Sequence, residues 1–95
     1  MMYFDEIAEI LTSYEVMQGL PAGLIRLYVL LVLVRGEDVT LADVHDAWCA
    51  YYTDRTPAHP CLVPFDQLSP LMQEREQPYA DAIAQAARRV IRRAR

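Results

Sequence analysis

Four side chains carry the only imidazoles and thiols of this chain: His45, Cys49, His59 and Cys61. Two His and two Cys form a ligand set that zinc accepts, and a thiol beside an imidazole is what a nucleophilic cysteine needs. His45 and Cys49 stand one helical turn apart and so share a face. The second half of the set is less apt. His59-x-Cys61 leaves a single residue between ligands, where structural zinc motifs leave at least two. Leu62 and Pro64 beside Cys61 suit a thiol packed as a small apolar group. Glycine, which lets a backbone close around an oxyanion or a phosphate, occurs only at positions 19, 23 and 36, each beside a helix end. The four residues therefore read as packed thiols and hydrogen-bonded histidines. No metal, no cofactor and no catalytic residue is expected. His59, next to Pro60, is expected to pin its turn through a backbone carbonyl.

Aromatic and cationic residues are the other groups with chemistry to offer. Trp48, Tyr51 and Tyr52 fall on the segment that holds His45. An aromatic stripe at helical spacing belongs to a core, so Trp48 is expected to be buried. Neighbouring Tyr51 and Tyr52 cannot both face inward, so one of them must reach the surface. All nine basic residues are Arg. Residues 1–87 hold all 13 acids and four Arg, a net of −9, while residues 88–95 hold five Arg and no acid. Arg at a helix C-terminus complements the helix dipole, and its stem covers apolar surface. An acidic body repels a phosphate backbone, so binding of nucleic acid through this end is the weaker reading. Tyr52, Arg88 and Arg92 are expected to anchor a protein partner, since Tyr and Arg dominate interface energetics.

The elements that must position these groups are helical. The chain has 95 residues, 54% of them hydrophobic and 23% charged, which excludes a disordered chain and leaves one small domain. Tyr3, Ile7, Ile10, Leu11, Tyr14 and Met17 recur at helical steps, predicting a helix from Met2 to Met17. Gly19 and Pro21 should end it. A second helix is expected from Ala22 to Arg35, stopped by Gly36. It is apolar on every side, so it is either the centre of the core or a homodimer seam. Thr40 and Asp43 form a capping box for a third helix running to Thr53. Pro57, Pro60 and Pro64 exclude helix from Arg55 to Leu68 and favour extended, polyproline-type backbone packed on the body by Leu62, Val63 and Phe65. Ser69 and Pro70 open a short turn over Leu71–Glu76, and a last helix runs from Pro78 to Ala94. The expected fold is all-α, a compact bundle of about four helices with an ordered proline-rich loop.

The longest unbroken apolar run, Leu27 to Val34, is far below the roughly 20 residues of a membrane span. The opening residues Met1 to Glu6 lack the basic segment of a secretory signal. A cytoplasmic protein with reduced thiols is expected.

Residues 44–83 resemble the ryanodine-receptor-type repeat domain. The likeness rests on His45-Asp46-Ala47-Trp48 and on His59-Pro60-Cys61-Leu62-Val63-Pro64-Phe65-Asp66-Gln67-Leu68. Where that family has an Asp–Arg pair after this string, the chain has Glu76–Gln77. The whole chain is similar to small helical proteins encoded by actinobacterial phages. The match rests on Leu24, Leu27, Tyr28, Arg35-Gly36, Thr40, Asp43 to Trp48, Pro64-Phe65, Leu68, Gln73, Glu76, Pro78-Tyr79 and Ala82-Ile83. The absence of Lys and Asn suits a high-GC genome of that kind. This resemblance implies a phage accessory protein in the bacterial cytoplasm. A chain too small and glycine-poor for a usual active site, yet apolar and aromatic enough to own an interface, is expected to be non-enzymatic and to bind and modulate a host protein. The repeat-domain resemblance implies an alternative, a nucleotide-like small ligand held by His45, Trp48, His59 and Phe65.

Overall fold

The structure is a computed structural model; it describes residues 3–94, with side chains described as far as Ile91. The described residues form five α-helices and no strand: α1 (Tyr3–Thr12), α2 (Ala22–Val34), α3 (Leu41–Tyr52), α4 (Pro70–Glu74) and α5 (Gln77–Ala94). Four are long and one is a short turn, so the chain is a small all-α bundle. No described helix is long and apolar enough to cross a membrane.

α2 occupies the centre and packs against α1, α3 and α5. Its Leu24, Ile25, Tyr28, Val29 and Val32 are buried. Ile7, Ile10 and Leu11 of α1, Val44 and Ala47 of α3, and Ala80, Ile83, Ala86 and Ala87 of α5 close on them. The alanines of α5 let that helix approach α2 closely. The all-round apolar pattern of α2 is only partly used by this core. Leu30, Leu33 and Val34 remain exposed, Val34 by 72%.

The helix ends follow local chemistry. Thr40 Oγ1 accepts from the Asp43 N–H at 3.1 Å, while the Asp43 carboxylate accepts from the Thr40 N–H at 3.0 Å. Arg35 adds an ion pair to Asp43 at 3.3 Å. Gly36 stops α2 with φ at +59°, a backbone region that side-chain-bearing residues avoid. Ser69 caps α4, with Pro70 in its first turn. The first helix is shorter than its pattern: α1 stops at Thr12, and a separate 3₁₀ turn spans Glu15–Met17. The hydroxyls of Thr12 and Ser13 donate to the carbonyls of Ala8 and Ile10, and such side-chain bonds compete with the helical ladder.

The proline segment is also not the extended run its composition predicts. It folds as consecutive turns, with the His59 N–H donating to Thr56, the Leu62 N–H to His59, and a 3₁₀ turn over Phe65–Gln67. Pro64 itself has extended torsions, φ −54° and ψ 147°.

Two surface features differ in worth. Loss of the Thr40 cap by Thr40→Ala should cost about 1 kcal/mol, lowering the melting temperature by about 4–8 °C. The Arg88–Glu37 pair joins side chains about half exposed, and breaking it by Arg88→Ala should cost less than about 1 kcal/mol. Thermal melts of the two variants should rank in that order, and the reverse ranking would contradict this account of the helix ends.

Candidate functional site

The site forms where α3, the proline segment and the α4–α5 junction meet. His45 lies at its centre on α3, with 1% of its surface exposed. Its neighbours Val44 and Ala47 face the core, which carries the His45 ring inward beneath the proline segment. The His45 Nε2–H donates to the Val63 carbonyl at 2.7 Å, and this bond ties the segment to α3. On the other side of the ring, Nδ1 faces Glu76 Oε1 at 3.5 Å. That distance is beyond hydrogen-bond range, and Nδ1 is the one buried side-chain polar atom among the described residues with no hydrogen-bond partner.

Burial pushes the Glu76 carboxyl up from its ordinary value of 4.5, and the nearby His45 opposes that rise.

Cys49 lies on the next turn of α3, its Sγ 3.3 Å from His45 Nε2. The pair has the proximity of a nucleophile and its base but not the chemistry. Nε2 spends its proton on Val63 and has no lone pair left to accept one from the thiol. Burial, then the negative charges of Asp46 and Glu76, push the Cys49 thiol up, whereas an activated cysteine needs it lowered. His59 is exposed, and its Nδ1 accepts from the Cys61 N–H at 3.0 Å. It therefore pins its own turn, through an N–H rather than the expected carbonyl. The candidate ligand set is thus divided among local bonds, and no three His, Cys, Asp or Glu groups among the described residues gather as a metal site would require.

Trp48 is fixed by its ring neighbours. It stacks on His45 at 5.9 Å and 15°, meets His59 edge-on at 5.1 Å, and lies 4.8 Å from Tyr52. It is partly buried and forms part of a wall. On one side is an inner pocket of about 150 Å³ that also touches His45, His59, Cys61 and Glu76. On the other is a cleft of about 560 Å³, lined by Leu20, Leu24, Tyr28, Tyr52, Leu71 and Tyr79 among others. Trp48 and Glu76 border both spaces. Tyr28 and Tyr79 face each other across 6.2 Å. Burial and the Glu76 charge push the Tyr28 phenol up, so it stays neutral. Glu74 and Arg75 stand at the edge of the cleft.

The structure gathers His45, Trp48, His59 and Glu76, with Phe65 beside His45 at 6.2 Å between rings. The proposed interaction residues do not meet. Tyr52 ends α3 at the cleft. Arg88 bonds Glu37, just before the start of α3, so the length of that helix, roughly 18 Å, separates them. The Arg92 side chain lies outside the described residues. Arg89 covers the Tyr14 ring at 5.9 Å and donates to the Ser13 hydroxyl.

Residues 2–88 match the family model for a domain of unknown function, DUF7701. The chain belongs to that family. The DUF7701 match includes every residue that lines the cleft and the inner pocket. No curated protein and no solved structure matches the chain.

Two residues central to the site in this DUF7701 chain are poorly marked in its sequence. Glu76 enters only through the two resemblances, as a match in the phage-protein pattern and as a departure from the Asp–Arg pair of the repeat-domain pattern. Gln73, whose side-chain amide donates to the Phe65 and Leu68 carbonyls at 3.1 and 3.2 Å, looks like an ordinary surface glutamine.

The Glu76 environment sets a pH dependence. A carboxyl raised above 4.5 in the folded chain favours folding while protonated, and that contribution is lost as pH rises through its folded value. The stability of wild type relative to Glu76→Gln should therefore be greatest below 4.5 and fall toward neutrality. Urea titrations of both proteins across that range would measure it, and a difference that grows with pH would overturn the assignment.

Proposed function

We propose that this chain is a non-enzymatic recognition module whose aromatic cleft encloses a small flat guest. The observation that carries this reading is the cleft itself. At about 560 Å³ it falls within the range of small-molecule sites, and Tyr28, Trp48, Tyr52 and Tyr79 supply apolar, ring-bearing walls. Such walls favour planar molecules through offset and edge-on contacts.

This reading differs in two respects from a nucleotide held by His45, Trp48, His59 and Phe65. His45 Nε2 is committed to Val63 and its unpartnered Nδ1 is turned to Glu76, so neither nitrogen is turned toward a nucleotide. At the cleft edge, Glu74 and Glu76 outnumber Arg75, which disfavours a phosphate. Recognition of a host protein through Tyr52, Arg88 and Arg92 has weaker support, because Tyr52 and Arg88 stand apart. A phage-type accessory role in a bacterial cytoplasm is compatible with a small-guest module.

The test uses Trp48, the only tryptophan. A planar fragment such as indole should change its fluorescence and raise the melting temperature, since a ligand of the folded state alone adds about 2.7 kcal/mol at a hundred times its Kd. Tyr52→Ala should weaken that binding about tenfold, the worth of one aromatic contact. If no planar fragment perturbs either readout, the cleft is not a binding site.

A second reading has its own observation. Leu27, Leu30 and Val34 repeat along the outer face of α2 at the spacing of a helix–helix seam, and Leu30, Leu33 and Val34 are exposed. We propose a second copy of this chain as the occupant, because a stripe of one helix can pair with itself about a two-fold axis. Light scattering should then give a dimer mass for wild type and a monomer mass for Leu30→Glu. A wild-type monomer at high concentration would eliminate the seam.

A further inference from the structure

The cleft has a wall but also a polarity. Of the three charged residues that border it, Glu76 is held most firmly. Only 16% of its side chain is exposed, and its backbone N–H and carbonyl are both bonded at the α4–α5 junction. One carboxylate oxygen faces His45 Nδ1. No Arg lies within ion-pair distance of Glu76 among the described residues, and His45 is the only basic side chain that does. A carboxylate offers about four acceptor sites on its two oxygens, so His45 leaves most of that capacity unused.

Resting on the reading that the cleft binds a guest, we infer that the guest is an organic cation, a planar amidine- or amine-bearing molecule whose N–H groups are held by Glu76 and whose body is enclosed by Tyr28, Trp48, Tyr52 and Tyr79.

Three independent observations support this. The buried, unpartnered His45 Nδ1 is aimed at Glu76. It faces one carboxylate oxygen and leaves the other for a guest. The walls are ring faces and edges, and ring faces attract cations most strongly where water is excluded. The three tyrosines bring no charge of their own, and Tyr28 is held neutral by burial. Finally, residues 1–87 carry a net −9, so the field of the body draws cations in and turns anions away.

Glu74 strengthens this polarity. Arg75 opposes it, and provides the alternative that the experiment must address: an anionic guest bound to the guanidinium.

Three probes of nearly one shape separate the possibilities: benzamidinium, benzamide and benzoate. Each is titrated into the full chain, with Trp48 fluorescence and the amide NMR spectrum as readouts. Benzamidinium should bind about tenfold more tightly than benzamide, the effect of one charge-assisted contact, and benzoate should bind no better than benzamide. Glu76→Gln should reduce the preference for benzamidinium over benzamide to less than about twofold. If that variant fails to fold, the order of the three probes on wild type decides alone.

Equal binding of benzamidinium and benzamide would overturn the cation inference and leave the cleft reading standing. Tightest binding by benzoate would overturn it in favour of Arg75. If none of the three perturbs Trp48 at about 10 mM, an affinity too weak for specific recognition, both the inference and the reading beneath it fail.

Discussion

The hydrogen bond from His45 to the Val63 carbonyl organises the functional end of this molecule. It is made by a fully buried side chain, and a buried polar group left unpaired costs more than a paired one contributes. The imidazole must therefore find partners, and each one it finds positions a different element. Val63 brings the proline segment onto α3. Glu76 brings in the α4–α5 junction. The ring face supports Trp48. Moving Val63 would leave a buried nitrogen and a carbonyl unsatisfied, so the wall between the inner pocket and the cleft has a defined position. The same bond determines what the site does not do. With its Nε2 proton committed, His45 cannot serve Cys49 as a base.

Much of the architecture was legible because its signals are local. The Thr40–Asp43 capping box, the glycine at the end of α2 and the Ser69–Pro70 start of α4 each act within a few residues, and all three stand in the structure as their residue types imply. The early stop of α1 is local too, but it depends on whether the Thr12 and Ser13 hydroxyls turn back to the helix carbonyls or outward to water. Residue type alone does not settle that choice. The loop shows a different limit. Three prolines forbid a helix, but they do not decide between an extended path and a chain of turns. That depends on which backbone groups the side chains of His59 and Gln73 bond nearby, and on His45 reaching the Val63 carbonyl 18 residues away.

The site was legible only in part for the same reason. His45, Trp48, His59 and Phe65 could be grouped because one pattern contains them. Glu76 joins them through packing of α5 against α2 and α3, a contact between residues 31 positions apart. The cleft is farther still from any sequence signal. It is the space left between the 3₁₀ turn after α1, the middle of α2, the end of α3 and the start of α5, and no single segment encodes it. Arg88 and Tyr52 show the converse. Each has the character of an interface anchor, but the length of α3 keeps them apart.

The way the proline segment is held has a consequence for motion. Residues 53–60 are exposed almost throughout, and past the bonds of Arg55 and Thr56 to the end of α3, the side-chain ties between the segment and the body among the described residues run through His45 and Gln73. The buried core lies in α1, α2, α3 and α5 and does not include this segment. Lifting the segment would break a few hydrogen bonds and expose little apolar surface, so it should cost only part of the global unfolding free energy. The domain is therefore built from two cooperative units of unequal strength, a helical body and a lighter flap. Amide exchange in the flap would run ahead of exchange in α2. One wall of the inner pocket could then open while the bundle beneath it stays folded.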